Sequence, residues 1–398
     1  MNYKLSAFYI MTEPEKMGYP YLESIISTLS FVDEVVVVMG REEESSETKI
    51  RCLRESLPSH KQIKIIKTNS WPAENWDYDV MKEHIQRGFD ECTHNLCMKI
   101  DCDYVFRDQH ADEIRHVIIT ALTDYPLSDT PGRSDNHMLT VGRINFACHG
   151  KATYHPAIDH TPCYVINKAA LKNDGVSCYI DNKGGSNQPR FHPPDHPRLR
   201  IVRVGNALPG SIEQFLQLYH RVCPVNYSYT FMDQTQVAKT WAAWHKAVEI
   251  KFGAQRSCTF DVTDVGASLK NFIDYHYVHG KIPLIYQVRE DELVRDRVHA
   301  LGEEKCRRMG LLRTNKAGAP VVGSGMFFTM DQHPTCMQEK IRNMPSKMWG
   351  YDNFGFKEPQ SLTGAGSVWV DVASGTGCVS KEYEKWRDDV VKHSIKEK

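Results

Sequence analysis

No apolar stretch in the 398-residue sequence approaches the roughly 18 to 20 residues that span a bilayer. The opening Met1-Asn2-Tyr3-Lys4 enters an apolar run at once, without a basic-then-apolar leader. Both absences predict a soluble, cytoplasmic protein with no transmembrane anchor. An excess of one charge sign is also missing: 49 Lys+Arg stand against 50 Asp+Glu, a formal net charge of −1. That balance excludes a global pull toward nucleic acid or membrane and leaves only local basic patches. Cysteine is not scarce, with 12 residues, but the C-x2-C pairs of a zinc knuckle are absent. Cys92, Cys97 and Cys102 recur every five residues, which suits neither a metal knuckle nor one helix face, so the thiols read as free and buried. Phosphate loops are lacking too. Gly364-Ala365-Gly366 and Gly375-Thr376-Gly377 have no strand before them and no helix after.

What is present is a core-forming chain, 41% hydrophobic, with a repeating pattern in its first hundred residues. Lys4 to Met11 predicts a first strand, and Phe31 to Met39, centred on Val35-Val36-Val37-Val38, a second that is buried on both faces. Between them, Tyr21, Leu22, Ile25, Ile26 and Leu29 fall at helical spacing over Tyr19 to Leu29. This is a βαβ unit, and a parallel sheet follows from it. A helix over Thr48 to Ser56, a strand over Gln62 to Lys67 and a helix from Asp77 to about Cys92 lead into a further strand, Leu96-Cys97-Met98-Lys99-Ile100.

That last strand runs straight into Asp101-Cys102-Asp103. Open α/β sheets carry their ligand crevice at the C-terminal ends of the strands, and two carboxylates there can hold a divalent metal. Carboxylates one residue apart in extended chain point to opposite sides, so the pair works only if the strand turns at that point. The competing explanation is ordinary turn chemistry, for which Asp is well suited. A loop after the second strand, Met39-Gly40-Arg41-Glu42-Glu43-Glu44, offers an Arg whose planar fork fits a phosphate. Ion pairing within that acidic loop is its alternative.

Tyr9-Ile10-Met11-Thr12-Glu13, Phe31-Val32-Asp33-Glu34-Val35, Gln86-Arg87-Gly88 and Lys99 to Phe106 together resemble the nucleotide-sugar glycosyltransferases of the GT-A fold, particularly the family 2-like group. The likeness covers about residues 4 to 120, and Pro224 to Phe231 with the Trp-containing helix after it is similar to the downstream region. The resemblance implies an α/β, Rossmann-like, mostly parallel sheet flanked by helices, with an α-rich C-terminal acceptor-side extension. It implies a GT-A domain over residues 1–253, with a nucleotide-sugar half at 1–125 and an acceptor half at 126–253, and an extension at 254–398 for acceptor binding or oligomerisation. It further implies Mn or Mg on the diphosphate of a UDP-, GDP- or dTDP-sugar, ligated by Asp101 and Asp103 with His220 completing the shell. Donor contacts would come from Thr12, Glu13, Gly40, Arg41, Gln86 and Asp101. The chain departs from the group where many relatives carry an Asp-Gly-Gly-Ser-Thr-Asp-like loop after the second strand, which leaves base recognition open.

Transfer with inversion, which the resemblance favours, needs a base near the acceptor hydroxyl. Candidates lie in the polar, punctuated middle of the chain. Asp159, between an apolar patch and a strand at Cys163 to Ile166, comes first, followed by Asp195 and Asp181. Each also suits a turn or helix cap. His192, Asp195 and His196 are zinc-competent types, but Pro193, Pro194 and Pro197 forbid a one-face helical arrangement. A backbone-satisfied, partly buried histidine is the alternative for His220. Gln234 to Phe252 predicts a helix whose Val237, Trp241, Trp244 and Val248 line one face, an aromatic stripe expected in the core. Helices are also expected over Glu290 to Met309 and Met337 to Asn343, with a polar tail from Lys381.

The acceptor is expected to be a glycan or a hydroxymethylated DNA base; the basic runs Arg198 to Arg203 and Arg307 to Lys316 suit phosphates or a solvated face. Two other functions compete. A sugar nucleotidyltransferase would need a Gly-rich basic loop after strand one, where Thr12-Glu13-Pro14-Glu15-Lys16-Met17-Gly18 is acidic and glycine-poor. A non-catalytic sugar-binding protein of the same fold would not need Asp101 and Asp103.

Overall fold

The computed structural model describes residues 3–41, 43–71, 77–123, 136–148, 151–154, 163–181, 188–192, 201–203, 221–252, 263–274, 312–314, 320–322, 325–327, 330, 333–345, 348, 369–371 and 376–378. The chain packs as two units that interleave in sequence. The first comprises residues 1–144, 158–227 and 333–340, and the second 145–157, 228–332 and 341–398. Gln234 to Phe252, expected in the acceptor half of a domain ending at 253, therefore packs with the second unit.

The strands of the first unit are β1 (Leu5–Met11), β2 (Glu34–Met39), β3 (Gln62–Lys67), β4 (Leu96–Ile100), β5 (Tyr104–Val105) and β6 (Met138–Val141). After β7 (Ile144–Cys148) and β8 (Lys151–Tyr154) come β9 (Cys163–Asn167), β10 (Ser177–Asp181), β11 (Gln188–His192), β12 (Ile201–Arg203) and β13 (Val225–Asn226). Helices α1 (Tyr21–Leu29), α2 (Glu44–Glu55), α3 (Tyr78–Glu91), α4 (Ala111–Thr123) and α5 (Lys168–Asn173) alternate with them. Seven strands form the main sheet in the order β12-β6-β9-β4-β1-β2-β3. β3, β2, β1 and β4 run parallel, whereas β9 is antiparallel to both β4 and β6. The result is a mixed, mostly parallel α/β sheet.

Burial explains why these segments are strands. Every residue of β2 and of β4 is buried, as expected of central strands covered on both faces. The expected strands and helices are present from β1 to β4 with shifts at the starts of β2 and α2, and α3 starts as expected after Asp77, whose carboxylate accepts from the Asp79 and Val80 amides. α3 lies against β1 so closely that a Cβ on Gly88 would come 2.6 Å from the Phe8 ring. Helix α2 begins at Glu44, four residues before the expected Thr48, because Ser46 and Glu47 turn inward; Glu47 holds Lys67 at 2.7 Å.

Two corrections fall in the punctuated middle. Asp181-Asn182 was expected in a long functional loop, but Ser177–Asp181 and Gln188–His192 pair as an antiparallel hairpin. Ile201 to Arg203, within an expected surface basic run, is the terminal strand of the main sheet, and Val202 is buried. In the second unit, Gln234–Phe252 is the expected helix. Val237 and Trp241 are buried, the Trp241 indole donates to Asn271 at 2.9 Å, and the more exposed Trp244 stacks on Trp241. The expected helix at Glu290 to Met309 and the tail from Lys381 lie outside the described residues. Thr335–Arg342 supplies the helix expected from Met337. Among the described residues, no helix is long and apolar enough to cross a membrane.

Candidate functional site

The strand order places a switch point in the sheet. From β1 the chain winds outward through β2 to β3, then returns to lay β4 on the opposite side of β1. A crevice opens outside the C-terminal ends of strands at such a reversal, because the connections that follow them depart in opposite directions. Thr12 and Glu13 follow β1 at that edge, Gly40 and Arg41 follow β2, Thr68 to Trp71 follow β3, and Asp101 to Asp103 follow β4.

The chain turns at Asp101, as the metal expectation required. The Tyr104 amide donates to the Asp101 carbonyl at 3.0 Å, and β5 begins immediately afterward. Tyr227, just past β13, fixes the turn from the far side, donating its amide to the Asp103 carbonyl at 2.9 Å. The Tyr227 hydroxyl meets His333 Nδ1 at 2.8 Å, and both side chains are buried. Cys102, between the two aspartates in sequence, is half-buried. Burial, reinforced by Asp103 and then Asp101, pushes its thiol well above the ordinary range. The Asp101 carboxylate receives the Lys99 ammonium, which lies along β4 with only 10% of its side chain exposed. Tyr104 is also buried beside the turn. Burial raises its hydroxyl far above the usual value against the opposing pull of Arg143, whose guanidinium donates to it.

Arg41 finds its carboxylate across loops rather than inside its own. Its Nη1 donates to Glu13 Oε2 at 3.1 Å. Glu13 has a φ of 44°, a left-handed conformation uncommon outside glycine, and it also pairs with Lys16 at 3.1 Å. Glu43 ties the same two loops together, accepting from the Glu15 and Lys16 amides at 3.1 and 3.0 Å. Gly40 is held by its amide on Met11 O at 2.8 Å and by its carbonyl, which takes the Trp71 amide at 2.9 Å.

His84, Thr68 and Trp71 were not anticipated. His84 is buried and donates from Nδ1 to the Val80 carbonyl at 2.6 Å, which leaves Nε2 as acceptor for the Thr68 hydroxyl at 2.5 Å. Trp71 packs edge-on to this imidazole, with centroids 5.4 Å apart. For Thr68 and Trp71 the available signal was their position directly after β3, whereas His84 reaches the same edge from α3. A Cβ on Gly40 would meet Thr12 Oγ1 at 2.7 Å, Trp71 Cβ at 3.1 Å and His84 Nε2 at 3.2 Å. Gly40→Val is therefore expected to destabilise the fold by about 1–3 kcal/mol through overpacking. Urea unfolding of the variant checks this.

Gln86 stands apart from this edge. Its Oε1 accepts from the Ile180 amide and its Nε2 donates to Asp90, both at 3.0 Å, so it joins α3 to the hairpin. Asp181 ends β10 with Arg190 Nε 3.7 Å away. Asp159, Asp195, His196 and His220 lie outside the described residues. Among the described residues, no group of three or more His, Cys, Asp or Glu side chains gathers as a ready metal cage. Two carboxylates at a strand end fit instead a cation that takes its remaining ligands from water and substrate phosphates. The Lys99 ammonium on Asp101 shows that one of them already receives positive charge.

No protein-family model matches the chain, and no curated protein matches it. Among solved structures it is similar to S. aureus TarS, at 11% identity over 76% of this chain with a TM-score of 0.34. It spans half of that protein's length, 50%. A mannosyltransferase, PcManGT from Pyrobaculum calidifontis, solved with GDP-Man and Mn2+, is 10% identical over 78% of this chain and 79% of its own, with a TM-score of 0.35. A putative glucose-1-phosphate thymidylyltransferase from Bacillus anthracis is 6% identical over 50% of this chain and 85% of its own, with a TM-score of 0.29. At TM-scores this low, the likenesses decide nothing about chemistry.

Proposed function

We propose that the chain is a metal-dependent glycosyltransferase that moves a sugar from a nucleoside diphosphate donor to an acceptor hydroxyl, with inversion. One observation carries this reading: the turn after β4 sets Asp101 and Asp103 at the switch point of the sheet, alongside the residues that end β1, β2 and β3. Asp101 and Asp103 are the residues that would hold the Mn or Mg ion. That ion would supply Lewis-acid stabilisation of the negative charge that develops on the leaving diphosphate. Arg41 supplies a second positive group at the same edge, with Glu13 as its resting partner. Gly40, held to Met11 and Trp71, keeps the backbone after β2 clear of side-chain bulk. The acceptor is a glycan or a hydroxymethylated DNA base, and Asp159 or Asp195 supplies the base.

A panel of UDP-, GDP- and dTDP-sugars with Mn2+ or Mg2+, read by nucleoside diphosphate release, tests this function. Glycans and hydroxymethylated DNA serve as acceptors. One donor class is expected to turn over, faster with the right acceptor. Formation of a sugar nucleotide from a sugar 1-phosphate and a nucleoside triphosphate, with release of pyrophosphate and no transfer to any acceptor, would replace it with a nucleotidyltransferase.

A further inference from the structure

Lys99 is a charged residue inside a strand whose other members, Leu96, Cys97, Met98 and Ile100, are apolar. β4 has β1 on one side and β9 on the other, and Lys99 stands in register with Phe8 and Tyr164. Its stem is thereby fixed, and only 10% of the side chain reaches solvent. A charge buried to this degree is costly unless a counter-charge meets it. Lys99 and Asp101 are two residues apart along extended chain and so share one side of the sheet. The ammonium contacts Asp101 Oδ1. The nearer of the two metal-ligating carboxylates is thus engaged by an internal cation.

We propose that Lys99 is a positioning residue that competes with the divalent metal for Asp101, so that the ion alone binds weakly and binds well only together with a diphosphate. This rests on the assignment of the metal to Asp101 and Asp103 made above. An entering dication meets a carboxylate that is already satisfied, with a positive charge in contact with it, and the repulsion acts at short range in a partly desolvated setting. A diphosphate changes the balance, because its oxygens give the displaced ammonium a new partner through charge-assisted hydrogen bonds. Metal occupancy is then tied to the presence of donor. A lysine suits this exchange, since its ammonium is a compact point charge on a flexible stem.

Titrating Mn2+ alone into the full chain, with free Mn2+ read by electron paramagnetic resonance, tests the proposal without any turnover. Lys99→Met removes the charge and keeps an apolar stem; Lys99→Gln is the substitute if the methionine variant does not fold. Either variant is expected to bind Mn2+ at least tenfold more tightly than wild type, with Asp101→Asn abolishing the gain. Unchanged or weaker Mn2+ binding in Lys99→Met, while Asp101→Asn still lowers wild-type binding, would overturn the competition and leave the metal site standing. Mn2+ binding that is indifferent to Asp101→Asn and Asp103→Asn in every background would overturn the competition and the metal assignment together.

Discussion

An Asp103→Asn chain is expected to release nucleoside diphosphate from its sugar donor about a hundredfold or more slowly than wild type in Mn2+. The substitution keeps the size of the side chain and removes one negative charge from the metal position. It leaves untouched the backbone contact of the turn, in which the Asp103 carbonyl accepts from the Tyr227 amide at 2.9 Å. The side chain is half-buried and its size is kept, so stability should stay within about 1 kcal/mol of wild type by urea unfolding. Loss of turnover with stability preserved separates a role at the reacting diphosphate from a role in the fold. Equal turnover in mutant and wild type would contradict the metal role of Asp103, and absence of turnover in both would favour a non-catalytic sugar-binding protein with no use for these carboxylates.

The second large effect belongs to Glu34, at the start of β2 and 0% exposed. Its carboxylate accepts from the Ser6 hydroxyl and from the Thr93 amide at 2.8 Å, and Lys64 lies 3.0 Å away. Glu34→Ala leaves these donors facing one another without their acceptor. Breaking a buried pair commonly costs about 3–5 kcal/mol; because Lys64 is 35% exposed and can turn to water, about 2–4 kcal/mol is expected here.

Burial alone raises the Glu34 carboxyl, but Ser6, Thr93 and Lys64 together outweigh it, and its pKa lies below the ordinary 4.5. Asp33 behaves alike: the Leu5 amide and Arg115 overcome its burial and leave it below 3.8. For a depressed carboxyl, the unfolded chain binds the proton first. The stabilisation is therefore fully present above the unfolded pKa and is lost as pH falls through the folded one. Wild type should lose stability on acidification below the ordinary carboxylate range, and Glu34→Ala should show a shallower acid slope. Urea midpoints from neutral pH down to about pH 3 report both.

The strands were legible because β1, β2 and β4 are buried on both faces and leave a mostly apolar record in the sequence. The turn at Asp101 could be located for the same reason, as a polar residue abutting such a run, and Asp77 as an N-cap type ahead of a helical pattern. Short, half-exposed elements left no comparable record. β10 and β11 carry Tyr179, which is exposed, and Pro189, and their alternation is too brief to stand out from loop chemistry. The site was legible in position and not in pairing. Arg41 has a local choice of glutamates in the sequence, yet it binds Glu13, 28 residues away, because parallel strands bring their C-terminal loops together. Lys99 was absorbed into an apolar run. Only the period of two along β4, taken with its burial, puts its ammonium on Asp101. His84 carries no loop signature at all, since it reaches the edge from the first half of α3.

The most direct test of metal-dependent donor use is nucleoside diphosphate release from the donor panel, run with wild-type protein in Mn2+ and again with the metal chelated. Turnover of one donor class in Mn2+, its loss on chelation and its return on adding metal back are the predicted results. Turnover that is the same with and without chelator, or absent with every donor and acceptor in Mn2+ and Mg2+, would contradict the role assigned to Asp101 and Asp103.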